Sequence, residues 1–82
     1  MPYKYLESYP ASYFEALDTA AKGEARVYCS YPARARNLRS EFYKLRKMLK
    51  DSDLNKYERY QRIIVQLSFS VQGSDLILYK NR

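Results

Sequence analysis

The sequence predicts a small α+β domain in which helices cover one face of an antiparallel sheet ending in a hairpin. Three observations carry that expectation. Leu38, Phe42, Leu45 and Leu49 recur at spacings of four, three and four, the repeat of an amphipathic helix. From Ile63 to Val71 apolar and polar residues alternate, the repeat of a half-buried strand. Gly73 and Ser74 then separate that run from a second one, as the two-residue loop of a β-hairpin does. The predicted order is α-β-α-(α)-β-β, with the hairpin packed on the long helix.

The elements follow along the chain. Residues 1–10, "MPYKYLESYP", read as an extended N-terminal segment with Tyr3, Tyr5 and Tyr9 among polar groups. "SYFE" has the form of a capping box, with Ser12 at the N-cap and Glu15 three residues on. Leu17, Ala20 and Ala21 continue the helical spacing, and Gly23 suits the position after a helix end, so residues 11–22 are predicted helical. In residues 24–31 Ala25, Val27, Cys29 and Tyr31 fall on one side and Arg26, Tyr28 and Ser30 on the other, which predicts a strand. Pro32 ends it and is well placed to start the next helix, with Ser30 as part of its cap.

The long helix is predicted over residues 33–50, stopped by Asp51-Ser52-Asp53. "LNKYERYQR" reads either as a further short helix or as a loop. Residues 61–72 and 75–80 are predicted to form the hairpin, with Gly73-Ser74 in a type II′ turn. That register sets Val71 opposite Leu76 and Phe69 opposite Leu78, while Ser70 meets Ile77 and Ser68 meets Tyr79; a slip by one residue would mix the two faces. With "DLNKYERY" as a third helix, the order is compatible with a winged-helix layout.

Eighty-two residues make one domain, residues 1–82, with a modest core, since a chain of this size buries only about 60% of its unfolded surface. The composition, 46% apolar and 29% charged with two glycines, is that of a globular chain. One cysteine, Cys29, allows no internal disulfide, and the first residues lack the apolar core of a signal peptide. No apolar run approaches a membrane span. The expectation is a cytoplasmic protein without a membrane partner.

The residues absent from the chain exclude whole classes of chemistry. There is no histidine, so no Ser-His-Asp or Cys-His arrangement and no Cys/His metal site is available. Glycine-rich phosphate loops are missing as well. Asp51 and Asp53 form the one close pair of acids, without supporting groups around it. No catalytic residue, metal or cofactor is predicted, and the chain is read as a non-enzyme.

The charge is the functional signal. Fifteen basic and nine acidic residues leave a net of +6. Between Ala33 and Lys50 seven basic residues face Glu41 alone, a local net of +6, while the rest of the chain balances. At 100° per residue Arg36, Arg39, Tyr43, Arg46, Lys47 and Lys50 lie on one flank of the apolar stripe, with no acid among them. Arg34 and Lys44 stand at the margins, and Glu41 sits on a mixed flank. A merely solvated face would intersperse both signs, because Glu–Lys pairs four apart stabilise a helix and like charges weaken it. The stripe therefore predicts an acidic partner.

Nucleic acid is the partner the sequence favours, as single-stranded DNA or RNA or as duplex DNA. Ten tyrosines tilt the reading toward single strands, whose bases stack on aromatic rings. Tyr43 in the stripe, and Tyr28 and Tyr79 on the polar sheet face beside Arg26, Arg62 and Gln66, are the stacking candidates. Tyr3, Tyr5, Tyr9, Tyr13, Tyr31, Tyr57 and Tyr60 are expected to pack. The alternative is a small interaction module or inhibitor, of the phage or plasmid accessory kind, that docks on an acidic protein surface. Ile64 and Ile77, expected exposed on the polar sheet face, suggest a homodimer or cover by the N-terminal segment.

Overall fold

The computed structural model describes residues 5–53 and 55–81. A 3-10 turn over Leu6–Ser8 comes first; Tyr3 lies outside the described residues. Helix α1 covers Ala11–Ala21, strand β1 Glu24–Tyr28, helix α2 Pro32–Lys50 and helix α3 Glu58–Ile64. Strands β2, Leu67–Gln72, and β3, Asp75–Lys80, complete the order α1-β1-α2-α3-β2-β3. The sheet is antiparallel with strand order β1-β3-β2. The fold is thus the small α+β domain that the patterning implies, with the hairpin resting on α2.

The hairpin register is the expected one: Phe69 faces Leu78, Val71 faces Leu76, Ser70 faces Ile77 and Ser68 faces Tyr79. Gly73 takes φ +60 and Ser74 does not go positive, as the first and second positions of a II′ loop require. On the far side of β3, Ala25 and Val27 continue the same apolar face opposite Leu78 and Leu76. α1 lies over β1 and β3, α2 over β2 and β3, and α3 packs against both helices. Leu17, Leu45, Leu49, Ile64, Leu76 and Leu78 are completely buried between these layers, and Phe42 nearly so.

α2 is held by its buried side. Each fully buried leucine or phenylalanine contributes about 1.5–3 kcal/mol relative to exposure, against a few tenths of a kcal/mol for each like-charge neighbour on the outer surface. Packing decides, so the helix persists despite its charge. Its C-terminus is also bonded from outside: the Gln61 side-chain amide donates to the Leu49 carbonyl at 2.5 Å and the Ser52 carbonyl at 2.7 Å. The Leu49 carbonyl also accepts from the Ser52 amide at 3.1 Å, so Gln61 adds a second bond at the helix end and one to the turn that follows it.

Several local expectations are corrected. The N-terminal segment is not extended throughout, since Leu6 and Tyr9 are buried around the 3-10 turn. α1 starts at Ala11 because the Pro10 carbonyl already accepts from the Tyr13 amide at 3.1 Å; Ser12 and Glu15 lie inside the helix and form no cap. β1 stops at Tyr28, because Ser30 takes φ +71 and the Tyr31 amide donates across it to the Cys29 carbonyl at 2.8 Å. That is a γ-turn with a left-handed central residue, a strained form. Tyr31, not Ser30, is the N-cap of α2, and its carbonyl accepts from Arg34 and Ala35.

The largest correction is at residues 61–66. They were expected to open a strand, but helix α3 runs to Ile64 and β2 begins only at Leu67. Tyr57, Tyr60 and Ile64 share a helical spacing, and the Phe14 ring meets Tyr57 at 6.0 Å and Tyr60 at 4.9 Å. This packing onto α1 outweighs the strand preference of Ile63-Ile64-Val65. The ion pair of Arg59 with Asp18 and the Tyr60 hydroxyl, which donates to Asp18 at 3.3 Å, fasten α3 further. The winged-helix order therefore has its third helix, but α2 is 19 residues long against 7 for α3.

Candidate nucleic-acid interface

α2 divides its side chains as its helical angles dictate. Ala35, Phe42, Leu45 and Leu49 are buried. Arg39 and Arg46, next to that buried side, are half-buried; Arg36, Lys47 and Lys50, farther round, are exposed. From Arg36 to Lys50 the helix rises about 21 Å. The like-charged surface is therefore long and narrow, with arginine stems along its inner edge. The five cations have no ion-pair partner among the described residues. Elsewhere the chain uses its acids: Arg26, Lys56, Arg59 and Arg62 are all paired.

Tyr43 lies within this surface, 49% exposed. Its ring meets Phe69 of β2 edge-on at 5.2 Å, so one edge is fixed by the sheet while much of the ring faces solvent. Phe42, its neighbour in sequence, turns inward against Tyr13 and Phe69. The two adjacent aromatics thus have different surroundings.

Arg34 and Lys44 are not part of the stripe. Both line a cleft of about 780 Å³ on the opposite flank of α2, together with Tyr28, Ser30, Asn37 and Glu41. Lys44 Nζ lies 3.5 Å from Glu41 Oε1, while Glu41 Oε2 is buried without a donor among the described residues. Ser30, Asn37 and Glu41 were not singled out in the sequence as site residues. The helical angles place Asn37 and Glu41 together on the mixed flank, but no local pattern reveals that the end of β1 forms the facing wall.

The outer sheet face differs from its expected composition. Arg62 belongs to α3, where it pairs with Glu58 at 2.6 Å, and Gln66 lies in the turn before β2. Arg26 remains on the face but is paired with Asp75 at 3.0 Å. Tyr28 stands opposite Asp75, and Tyr79 opposite Glu24. Four residues of β3 separate the two positions, about 13 Å, so they do not make one stacking platform. Ile64 is buried in the core, and Ile77 is 4% exposed, so neither isoleucine supplies the apolar patch that suggested a dimer. Of the tyrosines expected to pack, Tyr9 and Tyr57 are buried and Tyr13 and Tyr60 partly so, but Tyr5 is 66% and Tyr31 55% exposed.

Burial raises the Tyr60 hydroxyl pKa above its ordinary value, and the charge of Asp18 and the hydrogen bond to it act in the same direction. This group fastens α3 and lies apart from α2's outer surface. Among the described residues no three His, Cys, Asp or Glu side chains gather as metal ligands, and no helix is long and apolar enough to cross a membrane. The arrangement offers fixed positive charge, guanidinium and ammonium donors and exposed aromatic rings. Comparison with protein-family models, with curated proteins and with solved structures finds no match to the chain.

Proposed function

We propose that the protein is a non-enzymatic nucleic-acid-binding domain whose α2 surface tracks a phosphate backbone. The observation that supports this most is the unpaired stripe. Of the six described basic residues outside α2 four are in ion pairs, whereas on α2 only Lys44 of seven is. Arg36, Arg39, Arg46, Lys47 and Lys50 contact phosphates, arginine in bidentate fashion where geometry permits. Tyr43, braced by Phe69, presents its free edge and face to a sugar or base. Single strands are favoured over duplex, because a ring in a basic surface suits unstacked bases.

Fluorescence anisotropy with single-stranded and duplex oligonucleotides at two salt concentrations tests this reading. Binding that weakens steeply with salt supports it. No binding to either at low salt overturns it and leaves an acidic protein surface as the partner class, to be sought by co-purification.

A further inference from the structure

Three features outside the stripe invite a role: the outer sheet face, the apolar hollow between Leu6 and Met48, and the cleft between the end of β1 and the first half of α2. The sheet face carries a neutralised ion pair and scattered tyrosines, and nothing in the structure points to what would cover it. The hollow at Leu6 and Met48 sets one cation, Lys47, against two acids, Glu7 and Asp51, a lining that does not suit a polyanion. The cleft is different, because it gathers three residues whose types had already suggested nucleic-acid contact: Tyr28, Arg34 and Lys44.

We infer that this cleft is a subsite for one unpaired nucleotide of a bound single strand. The inference rests on the nucleic-acid reading of α2 and adds a place where a base leaves the backbone track. Its volume, about 780 Å³, falls within the range of roughly 300–1,000 Å³ typical of small-ligand sites. Tyr28 projects from the outer sheet face at the end of β1, where it also borders the cleft, and is 73% exposed, so a base entering at that rim can stack on its ring. Arg34 and Lys44 lie ten residues apart on α2, about 15 Å, and bracket the cleft with positive charge for the flanking phosphates. Between them Asn37 offers donors and an acceptor to a base edge. Glu41, paired with Lys44 through one oxygen, adds an acceptor for the amino group of a base and leaves the lining at two cations against one acid.

Ser30 is the independent sign that this wall is special. It is the one non-glycine residue with positive φ among those described, and it sits at the cleft. Backbone held in such a conformation gathers at ligand sites more than elsewhere. A duplex keeps its bases stacked and paired, so only an unpaired nucleotide reaches the cleft.

The test compares Tyr28→Ala and Arg34→Ala with the parent chain on a single-stranded oligonucleotide and on a duplex of equal length. Both side chains are exposed, so thermal melting is expected to stay unchanged. Tyr28→Ala should weaken single-strand binding roughly 5- to 150-fold, the cost of losing one stacked base, and leave duplex binding as it was. Arg34→Ala should weaken single-strand binding selectively too. If neither variant changes single-strand affinity, or if both lose single strand and duplex equally, the cleft holds no nucleotide, while a salt-dependent parent chain still supports the stripe. If the parent chain binds no nucleic acid, both readings fall together. Displacement of the strand by micromolar nucleoside monophosphate would assign the cleft to a free nucleotide and overturn the strand subsite.

Discussion

Replacing Arg39, Arg46 and Lys50 by glutamine removes three charges from the stripe and keeps most of each stem. The choice of glutamine follows from burial. Arg39 and Arg46 are half-buried beside Phe42 and Leu49, so alanine would remove packing along with charge. If all five stripe cations neutralise phosphates, single-strand binding has a log–log salt slope of about −3.5, and a rise from 50 to 200 mM salt weakens it about 125-fold. With two cations left the slope falls to about −1.4, and the same rise in salt costs only about sevenfold. On duplex the two losses are about 500-fold and about 12-fold. Folding moves the other way, because relieving like-charge neighbours stabilises a helix by a few tenths of a kcal/mol each. The variant should therefore melt no lower than the parent. Anisotropy titrations at four salt concentrations, with a melting curve for each protein, read both quantities. An unchanged salt slope in a variant that is fully folded would refute the stripe as the phosphate contact.

Three further outcomes test the scaffold. Gln61→Ala removes the amide that bonds the Leu49 and Ser52 carbonyls and should lower stability by about 1–3 kcal/mol, two hydrogen bonds' worth, measured by urea unfolding. Ser30→Gly relieves a left-handed non-glycine residue and should raise stability by up to about 1 kcal/mol, while Ser30→Val should lower it. Tyr60 keeps its proton in the folded chain to higher pH than in the unfolded chain. Its contribution is therefore full below the ordinary tyrosine pKa of 10.0 and is lost as pH rises through the folded value. Melting curves from pH 8 to 11 should show an alkaline decline that is smaller in Tyr60→Phe; an equal decline in both chains would remove Tyr60 as its cause.

Long, strongly periodic elements were legible in the sequence, and short ones fixed by distant contacts were not. α2 could be read because Leu38, Phe42, Leu45 and Leu49 carry the pattern over about three of its turns, and the same angles separated Phe42 from Tyr43. The hairpin could be read because Gly73 permits the loop and only one register keeps apolar residues together. Residues 61–66 were misread because Ile63, Val65 and Leu67 also fit a period of two. What decides the matter is the docking of Tyr57 and Tyr60 on Phe14 of α1, over forty residues away in sequence. The stripe followed from angles alone. The cleft needed the position of β1's end relative to α2, a relation set by the whole sheet, so Arg34 and Lys44 looked like margins of one surface when they border another.

The position of β3 in the middle of the sheet has a consequence for how the chain is made. β1 and β2 bond to β3 and not to each other. Until residues 75–80 have left the ribosome, β1 has nothing to pair with, and α1 and α2 have only part of the sheet to cover. Folding therefore waits for the last of these elements, and a chain halted before Asp75 exposes Leu17, Phe42 and Leu45 together. Helices form in about a microsecond whereas synthesis adds about 5–20 residues per second, so the arrival of β3 and not helix formation times the closing of the sheet.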